Sequence, residues 1–309
     1  MNPKGESSSV LIVGAGPAGL EATRALAERG YDVALAEATI ALGGRVAKER
    51  SLPGLSAWGR VADYREYQIR QKPNVEIYLD SPLTSENILE FGFENVCIAT
   101  GSTWRRDGVS RQHVVPFPTD QQMPIFTPDD MMNGKMPKGR VVLYDDDHYY
   151  MGGVLAELAR NAGCDVTIIT PSAILSDWTQ NTLEQHEIHR RLAEMDVEIV
   201  LNRGVTAINQ QSVTSDCMFT GRIKEFECDA VVMVSSRIEN NGLYADLVAS
   251  KADWSDAGIR SVKIIGDAEA PGPIAWATYA GHRYARELDG ADIGDALPFR
   301  REITELAID

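Results

Sequence analysis

The first third of the chain alternates short apolar runs with amphipathic stretches. Residues 10–13 form a wholly apolar run, which is typical of a strand buried on both faces. An amphipathic helix is predicted from the following turn to about Arg29, and a second strand ends at Glu37. The elements predicted after it are a helix at 56–72, a strand at 75–79, a helix at 85–91 with Ser85 as its N-cap, and a strand at 96–101. Buried strands that alternate with helices favour a parallel, doubly wound sheet.

The same alternation starts again at residue 140, after a proline-rich stretch at 104–138 that is predicted to be a crossover between domains. The later elements are predicted as strands at 141–144, 165–170 and 197–201, helices at 152–162 and 182–195, a meander at 212–236 that leads into a strand at 230–234, a strand at 262–265 and a helix at 273–288. The last strand and helix return to the first domain. We therefore predict an α/β fold with two Rossmann-like dinucleotide-binding domains, the second inserted in the first. The predicted boundaries are 1–115 with 239–309, and 116–238.

A glycine-rich turn, GAGPAG at 14–19, connects the first strand directly to its helix. In a dinucleotide-binding βαβ unit, the first glycine permits the tight turn, the second lets the backbone approach a pyrophosphate, and the third lets the helix pack on the strand. Glu37 lies about 20 residues further on, where a carboxylate would accept hydrogen bonds from a ribose. An ordinary strand-to-helix turn is the alternative, but the register of strand, glycines, helix and acid favours a nucleotide site. The candidate binding residues of this unit are Gly14, Gly16, Pro17, Ala18, Glu37 and Ala38.

Four other short segments contribute candidate cofactor-binding residues. Gly44 and Arg45 form a loop in which glycine permits close approach and arginine would reach an anion. A buried strand ends in Thr100-Gly101, and a late strand ends in Gly266-Asp267, where the aspartate would bind polyol hydroxyls of a flavin. Leu83 is a candidate for packing against adenine.

The second predicted crossover has acids where a nicotinamide-dinucleotide fold would have glycines. Asp145, Asp146 and Asp147 follow its first strand, and two tyrosines come next. Three carboxylates would repel a pyrophosphate, and bulky tyrosines would block the backbone from approaching it. Gly152-Gly153 comes after the turn, inside the start of the helix. We therefore predict that this domain keeps the architecture and has lost its nicotinamide cofactor.

Composition narrows the class of partner and the location. The net charge of −15 over 309 residues argues against nucleic acid or an anionic membrane surface, which would repel the chain. No apolar run approaches the roughly 20 residues of a membrane helix. The four cysteines lack C-x-x-C spacing, so they predict buried free thiols of a cytoplasmic protein and no metal site.

These motifs together resemble flavoproteins with two dinucleotide-binding domains, and most of all the C-terminal half of the trimethylamine dehydrogenase and 2,4-dienoyl-CoA reductase family. The resemblance covers nearly the whole chain and is carried by GAGPAG, ATG at 99–101, DYREYQI at 63–69 and GDAEAP at 266–271. It implies FAD, or ADP in the same site, because the two branches of the family share their adenine-half residues. Family members also carry a barrel with FMN and a four-cysteine 4Fe-4S loop, which this chain lacks.

The resemblance implies a subunit or an excised half that works with a partner bearing FMN and a 4Fe-4S cluster, in a hetero-oligomer. It implies oxidative N-demethylation of a methylated amine, with electrons passed to an electron-transfer flavoprotein. The alternatives are a stand-alone NAD(P)H-dependent flavin oxidoreductase and a scaffold that binds ADP without moving electrons.

No catalytic constellation is apparent in this sequence. His148, His186, His189 and His282 are scattered, and each is interpreted as a surface or capping residue. Packing in the core is the favoured interpretation of Trp58, Tyr64 and Tyr67, and an aromatic patch through which electrons leave is the alternative.

Overall fold

A computed structural model describes residues 4–6 and 9–290 of the chain. The C-terminal end of the first predicted domain, at 291–309, lies outside these residues. The strands are β1 (Ser9–Val13), β2 (Asp32–Ala36), β3 (Val75–Tyr78), β4 (Asn95–Ile98), β5 (Ser102–Trp104), β6 (Ile125–Phe126), β7 (Arg140–Asp145), β8 (Asp165–Ile169), β9 (Glu198–Val200), β10 (Arg203–Ile208), β11 (Ser212–Cys217), β12 (Ile223–Glu227), β13 (Ala230–Val234), β14 (Arg237–Glu239) and β15 (Ser261–Ile264). The helices are α1 (Pro17–Arg29), α2 (Arg45–Glu49), α3 (Arg60–Arg70), α4 (Ser85–Phe91), α5 (Pro128–Met132), α6 (Tyr150–Asn161), α7 (Gln185–Glu194), α8 (Gly242–Ala249) and α9 (Ile274–Glu287).

The first sheet has the strand order β15-β4-β1-β2-β3, and all of its strands are parallel. In β1, Val10 and Ile12 face a core cluster that includes residues of α1 and α9, whereas Leu11 and Val13 face a cluster that includes residues of α4 and α8. Both faces of the strand are therefore buried, which explains why its sequence is continuously apolar. The predicted doubly wound parallel sheet is confirmed for this part of the chain.

A second parallel sheet has the order β6-β13-β7-β8-β9, and its strands all lie between β4 and β15 in sequence. Beside it, β10, β11 and β12 form an antiparallel sheet. The two connections between the parallel sheets, β5 and β14, pair antiparallel with each other. The chain thus leaves the first sheet, builds the second and returns, and the boundaries given above stay predictions.

Two local predictions are wrong, the N-cap of α4 and the start of α7, and the structure refines two others. Thr84, rather than Ser85, caps α4, since its side chain accepts the backbone N–H of Asn87 at 3.3 Å. The helix predicted from residue 182 begins only at Gln185, because Leu183 has a left-handed backbone with φ of 63°. The helix predicted over 56–72 is a 3₁₀ turn followed by α3. The proline-rich crossover contains β6 and α5, whose capping box joins Thr127 and Asp130.

The helices α1 and α9 pack with backbone in near contact. A Cβ added to Gly281 would lie 2.1 Å from the carbonyl oxygen of Ala18, so only glycine fits at this position. A buried carboxylate also links these helices, since Glu21 of α1 accepts from Arg65 of α3 at 2.7 Å and lies 3.0 Å from His282 of α9.

Within the part of the chain that the structure describes, no helix is long and apolar enough to cross a bilayer.

We predict that Gly281→Ala destabilises the protein by about 1 to 3 kcal/mol, because the added methyl group forces α9 away from α1. The measurement is the free energy of unfolding in urea. Gly242→Ala is the matched control, since a Cβ there meets no described atom within 4 Å. Equal stability of the two variants would contradict the packing described here.

Candidate functional site

A cavity of about 510 Å³ lies at the carboxyl edge of the first sheet. The structure brings twelve of the thirteen predicted site residues into its lining: Gly14, Gly16, Pro17, Ala18, Glu37, Ala38, Gly44, Arg45, Leu83, Thr100, Gly101 and Asp267. The thirteenth, Gly266, instead packs under α1, where a Cβ would lie 2.7 Å from that of Ala18. The structure thus shows that the twelve lining residues lie together. That they bind a cofactor stays a prediction.

The three glycines of the first turn have three different surroundings. Gly14 has φ of 101°, and a Cβ there would lie 2.5 Å from the carbonyl oxygen of Ala99 on the neighbouring chain segment. A Cβ on Gly19 would lie 1.9 Å from the carbonyl oxygen of Gly14. A Cβ on Gly16 would meet no described atom within 4 Å, although Gly16 lines the cavity. Gly14 and Gly19 therefore serve the fold, and Gly16 leaves space beside the N-terminus of α1.

Glu37 is the buried acid of the cavity, with 8% of its surface exposed. Its Oε2 accepts the backbone N–H of Ala15 at 2.8 Å, and its Oε1 accepts the backbone N–H and the hydroxyl of Thr39 at 2.9 and 2.8 Å. A carboxylate offers about four acceptor positions, so Glu37 retains capacity for one more donor. That capacity suits a ribose hydroxyl.

The loop before α2 lies against the glycine turn. Gly43 donates its backbone N–H to Ala15 at 2.9 Å, and a Cβ on Gly44 would lie 2.9 Å from the Cα of Gly16. The Arg45 guanidinium lies 2.9 Å from Glu49 and 3.3 Å from Asp267. Arg45 is therefore shared between two carboxylates instead of being directed at a ligand alone.

The threonine-glycine turn is tied to the segment that returns from the second sheet. The hydroxyl of Thr100 donates to the carbonyl oxygen of Asn240 at 2.6 Å, and the Asn240 amide donates back to the Thr100 carbonyl at 3.2 Å. Asn240 belongs to a group of lining residues that the motifs did not indicate: Ser81, Pro82, Asn240, Leu243 and Ile274. For Asn240 and Leu243, the sequence offered only the predicted return of the chain near residue 239. For Ile274, it offered the predicted start of a helix at residue 273.

Asp267 is held by several polar groups of the protein. Its Oδ2 accepts from the Ser102 hydroxyl at 3.0 Å, from Arg237 through a short ion pair, and lies 3.3 Å from Arg45. Its Oδ1 accepts the backbone N–H of Gly272 at 3.0 Å. The sequence indicated the position of this aspartate but not its partner Arg237.

The second crossover is closed by packing rather than by three exposed charges, which corrects the expectation from sequence. Asp145 ends β7 with 0% exposure, and its Oδ1 accepts the backbone N–H groups of Asp147 and His148 at 3.2 and 3.1 Å. A Cβ added to Gly152, the third residue of α6, would lie 2.4 Å from the Asp145 Cγ. The side chain of Asp145 thus fills the gap between strand and helix, and Gly152 makes room for it.

Burial also changes the charge of these acids. Burial, together with repulsion from Asp147, raises the pKa of Asp145 to about 7. Burial opposes ionisation of Asp146 too, but hydrogen bonds from His148 and Ser110 outweigh it and lower the pKa of Asp146. His148, expected at the surface, is mostly buried, with its Nε2 3.0 Å from Asp146 and its Nδ1 3.3 Å from the Thr170 hydroxyl. The imidazole is therefore a structural partner of the crossover.

The cysteines and the aromatic residues at 58–67 test two further expectations from the sequence. Cys97, Cys164 and Cys228 are buried free thiols, whereas Cys217 is partly exposed. Core packing is wrong for Tyr64 and Tyr67, which are 55% and 65% exposed on α3, while Trp58 is half-buried against Tyr150. Over residues 4–6 and 9–290, no group of three or more His, Cys, Asp or Glu side chains is placed to hold a metal ion.

The raised pKa of Asp145 gives a pH prediction. Between its ordinary value of 3.8 and about 7, the folded protein binds more protons at this site than the unfolded chain, so wild-type stability falls as pH rises through this window. Asp145→Asn lacks this contribution, so the stability of wild type relative to the variant should fall by up to about 4 kcal/mol from pH 4 to pH 7.5. Urea unfolding of both proteins across this range is the measurement, and a pH-independent difference would contradict the burial of the acid.

Comparisons with known proteins agree with this architecture. The family model "NAD(P)-binding Rossmann-like domain" matches residues 12–78, and "OYE-like second alpha/beta domain" matches 126–242. Dimethylamine dehydrogenase of Hyphomicrobium sp. (strain x) is 36% identical over 97% of this chain and 44% of its own length. Thioredoxin reductase of T. acidophilum, at 18% identity and a TM-score of 0.56, covers 92% of this chain and 98% of its own and shows the fold alone.

Two solved structures are much more similar. Histamine dehydrogenase from Rhizobium sp. 4-9 has a TM-score of 0.96 and 65% identity, over 99% of this chain and 45% of its own. The 6-hydroxypseudooxynicotine amine oxidase of Pseudomonas geniculata N1 has a TM-score of 0.88 and 41% identity, over 92% of this chain and 43% of its own. The chain spans less than half the length of these amine-oxidising relatives. Over nearly its whole length, the chain is similar to part of the dimethylamine and histamine dehydrogenases.

Proposed function

We propose that this chain is the nucleotide-binding half of an amine dehydrogenase, and that it corresponds to the C-terminal half of its relatives. It would hold an adenine nucleotide, ADP or FAD, in the cavity of the first sheet. The observation that supports the proposal is this cavity. It lies in a chain of which 97% aligns with less than half the length of dimethylamine dehydrogenase. A partner with FMN and a 4Fe-4S cluster would oxidise the amine by N-demethylation, and an electron-transfer flavoprotein would accept the electrons.

The cavity residues fit an adenosine diphosphate. Glu37 has one acceptor position left for a ribose hydroxyl, and its charge would repel a 2′-phosphate. Gly16 leaves open space beside the N-terminus of α1, where backbone N–H groups and the helix dipole favour a diphosphate. Leu83 offers an apolar contact for adenine on the wall of the cavity.

A stand-alone NAD(P)H-dependent flavin reductase is the second candidate. It would need a nicotinamide nucleotide at the second crossover, where the Asp145 side chain fills the space between β7 and α6. The visible spectrum of the purified chain separates the candidates. Flavin absorbance that NADH bleaches would support the reductase, flavin that NADH leaves unchanged would support the FAD-binding half, and an absence of flavin would support ADP.

The hetero-oligomer and the cytoplasmic location are part of the same proposal. Isolation of the native complex, followed by release and chromatographic identification of its nucleotides, tests the partner and the ligand together. Recovery of the chain without a partner and without an adenine nucleotide would contradict the proposal.

We predict that Gly16→Val weakens binding of ADP by about 10-fold or more, because the valine side chain projects into space that the diphosphate would use. Isothermal titration calorimetry measures the affinity. The nucleotide-free variant should unfold at the same urea concentration as wild type, since φ of −73° is open to valine and no described atom lies within 4 Å of the new Cβ. Unchanged ADP affinity would place the nucleotide elsewhere.

The exposed aromatic pair on α3 gives a second prediction. In the complex with its partner, Tyr64→Ala should slow electron transfer to the electron-transfer flavoprotein several-fold and leave the nucleotide content unchanged, because an exposed ring offers docking area. Phe91→Ala, which removes a ring of similar exposure from α4 on the opposite face of the sheet, is the matched control. Equal rates in both variants would remove α3 from the docking surface.

A further inference from the structure

We propose that Glu49 takes up a proton from solvent when a nucleotide diphosphate enters the cavity, because the diphosphate competes for the Arg45 guanidinium that otherwise neutralises this carboxylate. Binding of the nucleotide and protonation of Glu49 are then one coupled event. The inference rests on the proposed function, because it concerns a diphosphate in the cavity of the first sheet. It gives a role to an acid that lies outside the lining of that cavity.

Glu49 is a buried acid with one ion-pair partner among the described residues. It is the last residue of α2, with 2% of its surface exposed, and its Oε1 lies 2.9 Å from the Arg45 Nε. Its Oε2 is buried and accepts no hydrogen bond from any described residue. Ionisation of a carboxylate in such surroundings is unfavourable unless a cation compensates it, so the charge of Glu49 depends on Arg45.

Arg45 is the group that Glu49 and a ligand would share. Its side chain lines the cavity, and its Nη2 also lies 3.3 Å from Asp267. The preceding residue, Gly44, lies against the start of α1, since a Cβ there would be 2.9 Å from the Gly16 Cα. A diphosphate at the N-terminus of α1 would therefore lie beside Arg45 and attract its guanidinium.

The surroundings of Glu49 contain charges of both signs. The charged groups that act on it are Arg45 of α2, Arg237 of β14, Asp267 after β15 and Asp129 of α5. On α3, which also packs against α2, Asp63 lies 2.6 Å from Arg50 in an exposed ion pair. Glu49 is therefore balanced between two arginines and two other acids, and a change at Arg45 alters that balance.

The balance already favours the protonated form of Glu49. Burial is the largest influence and raises the pKa of Glu49, the two arginines lower it, and the two aspartates raise it. A diphosphate would bring about two to three negative charges and would engage Arg45. Both effects raise the pKa of Glu49 further.

The sign of the pH dependence follows from this rise. At pH values between the pKa of Glu49 in the empty protein and its higher pKa in the complex, the complex binds more protons than the empty protein. The affinity for ADP therefore falls as pH rises through this window, by up to about 10-fold per pH unit for one proton. Below the window Glu49 is protonated in both states, and above it in neither.

The test is isothermal titration calorimetry of the full chain with ADP, in buffers of different ionisation enthalpy, from about pH 5 to about pH 8.5. The variant Glu49→Gln keeps the size of the protonated acid and takes up no proton. Because the terminal phosphate of ADP also titrates near neutral pH, the quantity compared is the difference between the two proteins. Asp130→Asn is the matched control, since Asp130 is a buried acid of α5 that does not line the cavity.

We expect wild type to take up about 0.5 to 1 proton more than Glu49→Gln at the pH of the largest difference. Its affinity for ADP should weaken relative to the variant by about 3- to 10-fold across the range. Asp130→Asn should behave as wild type.

Equal proton uptake by wild type and Glu49→Gln at every pH, with ADP bound by both, would overturn this inference and leave the proposed nucleotide site standing. Wild type that binds no ADP would overturn both. Infrared difference spectroscopy of wild type covers the case in which Glu49→Gln fails to fold. Binding of ADP should produce the carbonyl band of a newly protonated carboxylic acid, and absence of that band across the pH range would overturn the inference.

Discussion

The contact between backbone segments at the glycine turn is the constraint on which the rest of the structure depends. Gly14 lies against the Ala99 carbonyl and Gly19 against the Gly14 carbonyl, so β1, α1 and the end of β4 meet without any side chain between them. This approach places the N-terminus of α1 over the carboxyl edge of the sheet. The cavity, its buried glutamate and the packing of α9 on α1 all follow from that placement.

The grouping of the residues in local motifs could be predicted from the sequence, because each motif directly follows a strand of the first sheet. The glycine turn, Glu37 and Thr100 each follow a strand of the same parallel sheet, and parallel strands bring their carboxyl ends to one edge. Asn240 and Arg237 could not be found this way. Each contacts its partner across a separation of 140 or 30 residues, and such pairings depend on how two sheets are connected rather than on a local pattern.

The acids of the second crossover also have a feature that the sequence could not predict, namely which of them are buried. Counting acids predicts that no glycine-lined phosphate site is present there, but the count could not show which acids are solvated. Burial of Asp145 against Gly152 makes that side chain part of the packing, and the bond between Asp146 and His148 orders the turn. Because burial raises the pKa of Asp145, a count of acids in the sequence does not give the charge that a ligand would meet.

The antiparallel pairing of β5 with β14 has a mechanical consequence. Both passages of the chain between the two parallel sheets run side by side as one hydrogen-bonded ribbon, and Arg237 and Trp104 form one of its rungs. A single flexible strand would let the two sheets turn independently, but a ribbon transmits torsion. Any rotation of the second sheet would therefore pull on the salt bridge between Arg237 and Asp267, and Asp267 lines the cavity of the first sheet.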